Sequence, residues 1–181
     1  MKLALPLAAT VFLTLAACGS NSDQPAPTET PTDTGVIATP AALTAQGFAD
    51  KLAASDLYET EAGKLAQEKG RDQAIKDFGA MMVKDHAVSS EALKAALKDV
   101  QPAVALAPTL APDQGRKLDQ LRGAGGNFDA LYSLQQIGAH EETLKLLKEY
   151  SANGGDAALR EFASKTATVV EHHLEEARKL P

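Results

Sequence analysis

Hydrophobic residues recur every three or four positions over most of residues 41–181, and this spacing predicts amphipathic helices rather than strands. The apolar stripes are separated by glycine, proline and capping residues, which are typical helix boundaries. The pattern therefore divides into four long helices and one short helix. The long helices are predicted at about 41–69, 71–98, 128–151 and 157–180, and the short one near 113–122.

The connection between the second and third long helices, residues 99–126, contains three prolines and ends in a Gly-Ala-Gly-Gly run. Short breaks join the first two helices and the last two, so each pair is predicted to be antiparallel. A connection of this length can run back along the helices. We therefore predict an all-α four-helix bundle that is ferritin-like, with a long crossover containing the short helix, although simple up-and-down winding is not excluded.

Polar residues at the predicted helix starts supply candidate caps. Thr39 followed by Pro40 is typical of a first helical turn, and Asn127 and Asp156 precede the third and fourth long helices. These caps, together with Asn153-Gly154-Gly155 after the third long helix, set the predicted boundaries of the bundle domain at residues 41–181.

Composition and charge narrow the possible partners. The chain has 18 Lys and Arg against 24 Asp and Glu, a formal net charge of −6, and only 4% aromatic residues. Nucleic-acid binding is disfavoured, since neither a basic face nor a stacking platform is available. One cysteine also excludes a disulfide framework.

The N-terminus predicts export and a lipid anchor. Residues 1–17 combine Lys2 with a short apolar stretch, as in a signal peptide. Leu15-Ala16-Ala17-Cys18 resembles a bacterial lipobox, in which the cysteine is lipidated and becomes the first mature residue. We expect Cys18 to attach the protein to a membrane. Gly19, rather than Asp, favours an outer-membrane lipoprotein that faces the periplasm.

Residues 18–40 are predicted to be the lipidated cysteine and a disordered tether. The segment after Cys18 is rich in proline and threonine and contains no Lys or Arg. Such composition buries too little apolar surface to offset the entropy of ordering. The segment is expected to give the helical domain reach from the membrane.

Four polar residues lie within the apolar arcs of the predicted helices. At 100° per residue, each long helix contributes one of them to the interior. They are Glu59, His86, His140 and His173. Asp85 borders the stripe of His86, and Asp129 shares the side of His140, so both are candidates to support this cluster from outside.

A buried histidine or carboxylate must be paired, metal-bound or neutral. Three interpretations follow from the residues. The first is a structural layer of hydrogen-bonded side chains. The second is a divalent-metal site that uses some of Glu59, His86, His140 and His173, because imidazole and carboxylate together suit zinc, copper or iron. The third is proton-transfer or redox catalysis.

Axial positions favour three of the four residues as one layer. With a rise of about 1.5 Å per residue, Glu59, His86 and His140 lie about 16, 24 and 20 Å from the turn between the first two helices. The same estimate places His173 at about 9 Å with a ferritin-like crossover, or about 30 Å with simple winding. His173 is therefore expected to lie outside the layer or to support it.

Four separated runs resemble a bacterial family known as domain of unknown function 4142. They are Glu59 to Ala66, Phe78 to His86 (FGAMMVKDH), Phe128 through His140, and His173-Leu174 with Ala177. The resemblance covers about residues 44–178. It implies an exported helical bundle, often described as an outer-membrane protein, that is similar to the ferritin-like superfamily. The family has no established activity.

One departure argues against ferritin-like iron chemistry. Di-iron proteins of that shape use a Glu-x-x-His motif on two helices. Val83 and Val170 stand where the two glutamates would be. We therefore expect a lipid-anchored envelope protein that is a binding or stress-associated module rather than an enzyme. The alternatives are a divalent-metal-binding bundle and, less favoured, a redox enzyme.

Overall fold

The computed structural model of the protein describes residues 43–181, which contain five α-helices and no strand. Within this range no helix is both long and apolar enough to cross a membrane. The predicted signal peptide at 1–17, the tether at 18–40 with Cys18, and the predicted cap Thr39 lie outside the described residues. The helices are α1 Ala45–Lys69, α2 Gln73–Ala96, α3 Pro112–Gly123, α4 Phe128–Asn153 and α5 Ala157–Ala177.

The helix starts follow side-chain capping. The first helix was predicted from about residue 41, but α1 begins at Ala45 because the Thr44 hydroxyl accepts a hydrogen bond from the Gly47 N–H. The Asp156 carboxylate caps α5 in the same way, as predicted. Asn127 does precede α4, yet its side chain makes no capping hydrogen bond, because a single 3-10 turn already leads into the helix.

The helices pack as two pairs with small residues at the closest approach. The most extensive contacts are α1 with α2 and α4 with α5, and α1 also packs against α4 and α2 against α5. Gly63 and Gly79 face each other between α1 and α2. A Cβ added at Gly63 would lie 2.6 Å from the Gly79 carbonyl oxygen, so a side chain here would force the helices apart.

The connection between α2 and α4 returns the chain to the α1–α2 turn. The Asp129 carboxylate, at the start of α4, accepts hydrogen bonds from the backbone N–H groups of Arg71 and Asp72 in that turn. Gln46 holds the extended part of the connection by pairing with both backbone groups of Ala105. The following helix α3 packs against α1 and α4. The connection therefore covers the side of the domain where α1 meets α4.

Buried side chains form two apolar clusters with a polar layer between them along the helices. One cluster is formed around Phe48, Leu147 and Leu159, and the other around Phe78 and Tyr132. In each of the four long helices the residues of the two clusters are separated by buried polar residues. These polar residues include Asp56, Glu59, His86, Gln136, His140 and His173.

Candidate metal centre

The inward orientation predicted from the helical wheel is confirmed for all four polar residues. The exposed fractions are 1% for Glu59, 4% for His86, 1% for His140 and 2% for His173. They come from α1, α2, α4 and α5, so each long helix contributes one side chain to the polar layer.

Three histidines form the centre of this layer. The ring centroids are 5.9 Å apart for His86 and His140, and His173 lies 5.6 Å from each of them. One ring nitrogen from each histidine lies within 4.8 Å of the other two. The three imidazoles therefore form a nearly equilateral triangle with nitrogen atoms directed at a common region.

Hydrogen bonds fix the protonation of two of these rings. The Nδ1 atom of His140 lies 2.8 Å from the Gln136 carbonyl oxygen, and Nε2 of His173 lies 3.2 Å from Asp85 Oδ2. Each oxygen can only accept, so each of these nitrogens carries the hydrogen. Burial, reinforced by the nearby His86, lowers the pKa of both His140 and His173 to about 4, so both rings are neutral at pH 7. The lone pairs therefore lie on His140 Nε2 and His173 Nδ1.

The third imidazole is held by a carboxylate. Nδ1 of His86 donates to Asp56 Oδ1 at 2.8 Å, and the other oxygen of Asp56 accepts from the Ser90 hydroxyl at 3.1 Å. Burial lowers the pKa of His86, but the hydrogen bond to Asp56 and the surrounding carboxylates outweigh it, and the net shift is upward. Nε2 of His86 is consequently the nitrogen left for a ligand.

The second nitrogen of every ring is buried without a hydrogen-bond partner among residues 43–181. These atoms are His86 Nε2, His140 Nε2 and His173 Nδ1. An unpaired buried polar atom is costly, so three of them on three adjacent rings require an explanation. In metal centres, by contrast, each ligating histidine has one nitrogen on the metal and the other on an oxygen acceptor.

The spacing of the nitrogens suits a single ion after a small contraction. Zinc–nitrogen bonds of about 2.0 to 2.1 Å place neighbouring ligand nitrogens about 3.3 Å apart in a tetrahedral site. From separations of at most 4.8 Å, each ring needs to move by no more than about 1 Å. Three imidazole ligands, with His86 giving up its proton to the ion, leave a fourth coordination position for solvent or another ligand.

Glu59 lies beside the triangle rather than within it. Its Oε1 is 3.8 Å from Nδ1 of His140, the nitrogen that faces away from the shared region. Both carboxylate oxygens are buried, and no group in the described part of the chain hydrogen-bonds to them. Burial raises the pKa of Glu59 to about 7, against the opposing charge of His86. The expected set of Glu59, His86 and His140 is therefore not the one with mutually close donor atoms.

His173 joins the centre, so the expectation that it lies outside the layer is wrong. The axial estimate assumed that all helices end at one level. The hydrogen bond from the Ser133 hydroxyl to the Pro181 carbonyl oxygen instead places the end of the chain about 7 Å, or five residues of α4, beyond Phe128. This offset brings His173 level with His140.

The two predicted supporting aspartates have different positions. Asp85 contacts His173 directly and is one-third exposed. Asp129 does not contact the histidines in any hydrogen bond of the described residues; its carboxylate binds the backbone of the α1–α2 turn. Its place in the first turn of α4 explains this role, since a carboxylate there can reach a neighbouring turn.

Asp56 is the residue that sequence reasoning missed. It lies four positions after Leu52 and three before Glu59, so the same helical spacing places it on the buried face of α1. The exposed fraction of Asp56 is only 2%, and its contact with His86 crosses from α1 to α2.

Comparison with known proteins identifies the family. No curated protein and no solved structure matches the chain. The family model described as "Domain of unknown function (DUF4142)" matches residues 30–180, which include every helix of the structure. The chain belongs to this family.

Proposed function

We propose that this protein binds one divalent transition-metal ion through His86, His140 and His173. One observation carries the proposal. In each of the three rings, one nitrogen is hydrogen-bonded to an oxygen and the other is buried without a partner among the described residues. Imidazole ligands suit zinc, copper and iron. The absence of a thiolate from this set of donors disfavours a site built for copper(I).

The surrounding carboxylates support a divalent ion rather than a small anion. Asp56 and Asp85 each contact a ring of the triangle, and Glu59 lies next to the third. Negative charge this close stabilises a cation in a buried site and repels an anion. Hydrogen bonds from ligating rings to such acceptors also orient the rings and make them more basic.

A four-helix bundle with ferritin-like helix order is our proposal for the architecture. It is supported by the pairing of α1 with α2 and α4 with α5, and by a connection that returns to the α1–α2 turn. The proposal concerns shape only. Val83 and Val170 occupy the positions where the Glu-x-x-His motifs of di-iron proteins have carboxylates, so we propose binding rather than oxygen chemistry.

The binding test compares two neighbouring histidines. Protein purified without an affinity tag is analysed for metal by elemental analysis, then stripped and titrated with zinc chloride by calorimetry. We expect one ion per chain and a zinc-dependent rise in melting temperature of about 8 °C at 100 times the dissociation constant. His173→Leu should abolish both, whereas His172→Leu, an exposed neighbour, should change neither.

Two results together would contradict the proposed metal binding. Absence of bound metal together with no zinc-dependent melting shift would leave the three histidines as a structural layer of hydrogen bonds. Circular dichroism of His173→Leu checks that lost binding is not lost folding. Absorbance-monitored oxidation of added iron(II) tests the redox alternative, and we expect no acceleration over buffer.

We also propose that the protein is an outer-membrane lipoprotein that faces the periplasm, with the helical domain attached through residues 18–40 to a lipidated Cys18. The lipobox-like Leu15-Ala16-Ala17-Cys18 supports this proposal. A nucleic acid is not part of it, given the net charge of −6. Palmitate labelling in the native host should disappear in Cys18→Ala, and unchanged labelling would contradict the anchor.

A further inference from the structure

The three histidines are buried, so an ion has to cross the surface of the domain to reach them. The groups that contact the rings differ sharply in exposure. The side chain of Asp56 is 2% exposed and that of Glu59 is 1% exposed, whereas that of Asp85 is 33% exposed. Among the carboxylates in contact with the triangle, Asp85 is the one that also meets solvent.

The side where α1 meets α4 is closed, although it carries a large groove. The groove has a volume of about 630 Å³ and is lined by α1, α3 and α4. Between the two helices, the hydroxyls of Ser55 and Thr143 form a buried hydrogen bond of 2.7 Å. Tyr58 continues this wall by donating to Gln135 at 3.0 Å. The groove therefore lies outside a layer of hydrogen-bonded side chains.

Two further sides are unsuitable for a cation. Between α1 and α2, at the level of the histidines, the Asp56 carboxylate is held by His86 and Ser90 and its side chain is only 2% exposed, so this side presents no carboxylate to solvent there. Where α4 meets α5, Lys148 bridges to Glu171 and Arg178 to Glu141 on the surface. The paired cations compensate the two glutamates, so this side offers no net negative charge.

The remaining side, between α2 and α5, is the one on which Asp85 lies. Asp85 Oδ2 is 3.2 Å from Nε2 of His173, so the same carboxylate touches solvent and the triangle. A groove of about 590 Å³ on this side is lined by Asp77 and by Glu176, which Lys179 pairs, so Asp77 is the acid there without a paired lysine or arginine among the described residues. Negative charge along the path raises the local concentration of a cation.

We propose that the metal ion reaches the three histidines between α2 and α5, with Asp85 as the first protein ligand that it meets. This inference rests on the proposed metal-binding function. Asp85 binds the arriving ion through a carboxylate oxygen and releases it to the nitrogens behind, while His173 keeps an oxygen acceptor on its Nε2. The residue is thus a capture and positioning group for loading rather than a permanent ligand.

The test measures the rate of loading separately from its end point. Metal-free protein is mixed with cobalt(II) chloride in a stopped-flow instrument, and the visible absorption of cobalt bound to nitrogen ligands is followed. Asp85→Asn keeps an oxygen that accepts from Nε2 of His173 but removes the charge. We expect about tenfold slower association, and a weaker dependence of that rate on salt, with the final stoichiometry and spectrum unchanged.

Glu142→Gln is the matched control, because Glu142 is 73% exposed and lines the rival groove between α1 and α4. It should load at the wild-type rate with the wild-type salt dependence. Wild-type loading rates in Asp85→Asn, or slowing in Glu142→Gln instead, would overturn the proposed route while leaving the metal site intact. A wild-type protein that binds no cobalt or zinc at equilibrium would overturn the proposed function itself.

Discussion

The apolar cluster around Phe48 and the polar layer around the three histidines are equally buried, yet their atoms are satisfied in different ways. Phe48 stacks on Tyr150 with ring centroids 4.0 Å apart, and Phe162 meets it edge-on at 6.5 Å. Leu147 and Leu159 complete the cluster with no exposed surface. Close packing of aromatic and aliphatic side chains accounts for this region, apart from the Tyr150 hydroxyl, which is buried without a partner among the described residues.

The polar layer is not satisfied by its own contacts. Each histidine leaves one nitrogen without a partner, and Glu59 leaves both oxygens, among the residues that the structure describes. Such groups cost free energy when they are buried, so they are retained at the expense of stability. The comparison teaches a difference of degree: among the described residues the apolar cluster leaves one buried polar atom unpaired, the Tyr150 hydroxyl, whereas Glu59 and the three histidines leave five within one layer.

The largest effect that we expect is in the apolar cluster. Phe48→Ala removes a fully buried ring that contacts two other rings, and it should lower the free energy of unfolding by about 3–5 kcal/mol. Urea unfolding in the presence of a chelator measures this loss. Zinc stoichiometry at saturation should stay at one per chain. A changed stoichiometry would show that the two regions are not independent.

The second effect concerns Glu59 and depends on pH. Burial raises the pKa of its carboxyl from 4.5 to about 7, so the folded state disfavours the ionised form. Stability from this group is fully present below pH 4.5 and is lost as the pH rises through 7. In metal-free buffer, Glu59→Gln should therefore be more stable than the wild type at pH 8 by about 3 kcal/mol, and equally stable at pH 4.5.

Comparing the wild type with Glu59→Gln at each pH cancels the pH-dependent stability that comes from His140 and His173. The lowered pKa values of His140 and His173 make both proteins lose stability as the pH falls below 6.5. Because this loss is shared, the difference between wild type and Glu59→Gln reports Glu59 together with its charge interaction with His86. Urea unfolding of the two proteins across this pH range measures it. A difference that did not vary with pH would contradict the assigned burial cost.

Much of the fold was predictable because it rests on local patterns. Three- and four-residue spacing predicted the helices, including the short α3, and Asp156 was correctly predicted as the cap of α5. The start of α1 was predicted a few residues too early, because the spacing of apolar residues does not show which of the polar residues before them caps the helix, and in the structure Thr44 does so.

The sequence predicted which side chains of the candidate site face inward, but not the distances between them. Helical periodicity identifies which residues face inward, whereas the relative height of two helices depends on their loops and ends. The contact of Pro181 with Ser133 shifts α5 and brings His173 to the other histidines, and no spacing rule contains that information. Asp56 was within reach of the same periodicity, since Leu52 lies four residues before it.

The smallest effect on stability that we expect concerns Ser55 and Thr143, a polar pair whose hydroxyls are hydrogen-bonded to each other, unlike the unpaired atoms of the polar layer. Ser55 and Thr143 bond only to each other in the buried wall between α1 and α4, so Thr143→Val should cost about 1–2 kcal/mol by leaving the Ser55 hydroxyl unpaired. The double variant Ser55→Ala with Thr143→Val should cost less than the sum of the two single changes, because no polar atom is then stranded. Urea unfolding of the four proteins in a double-mutant cycle measures the coupling. Strictly additive costs would show that the hydrogen bond between Ser55 and Thr143 contributes no coupling free energy across the wall between α1 and α4.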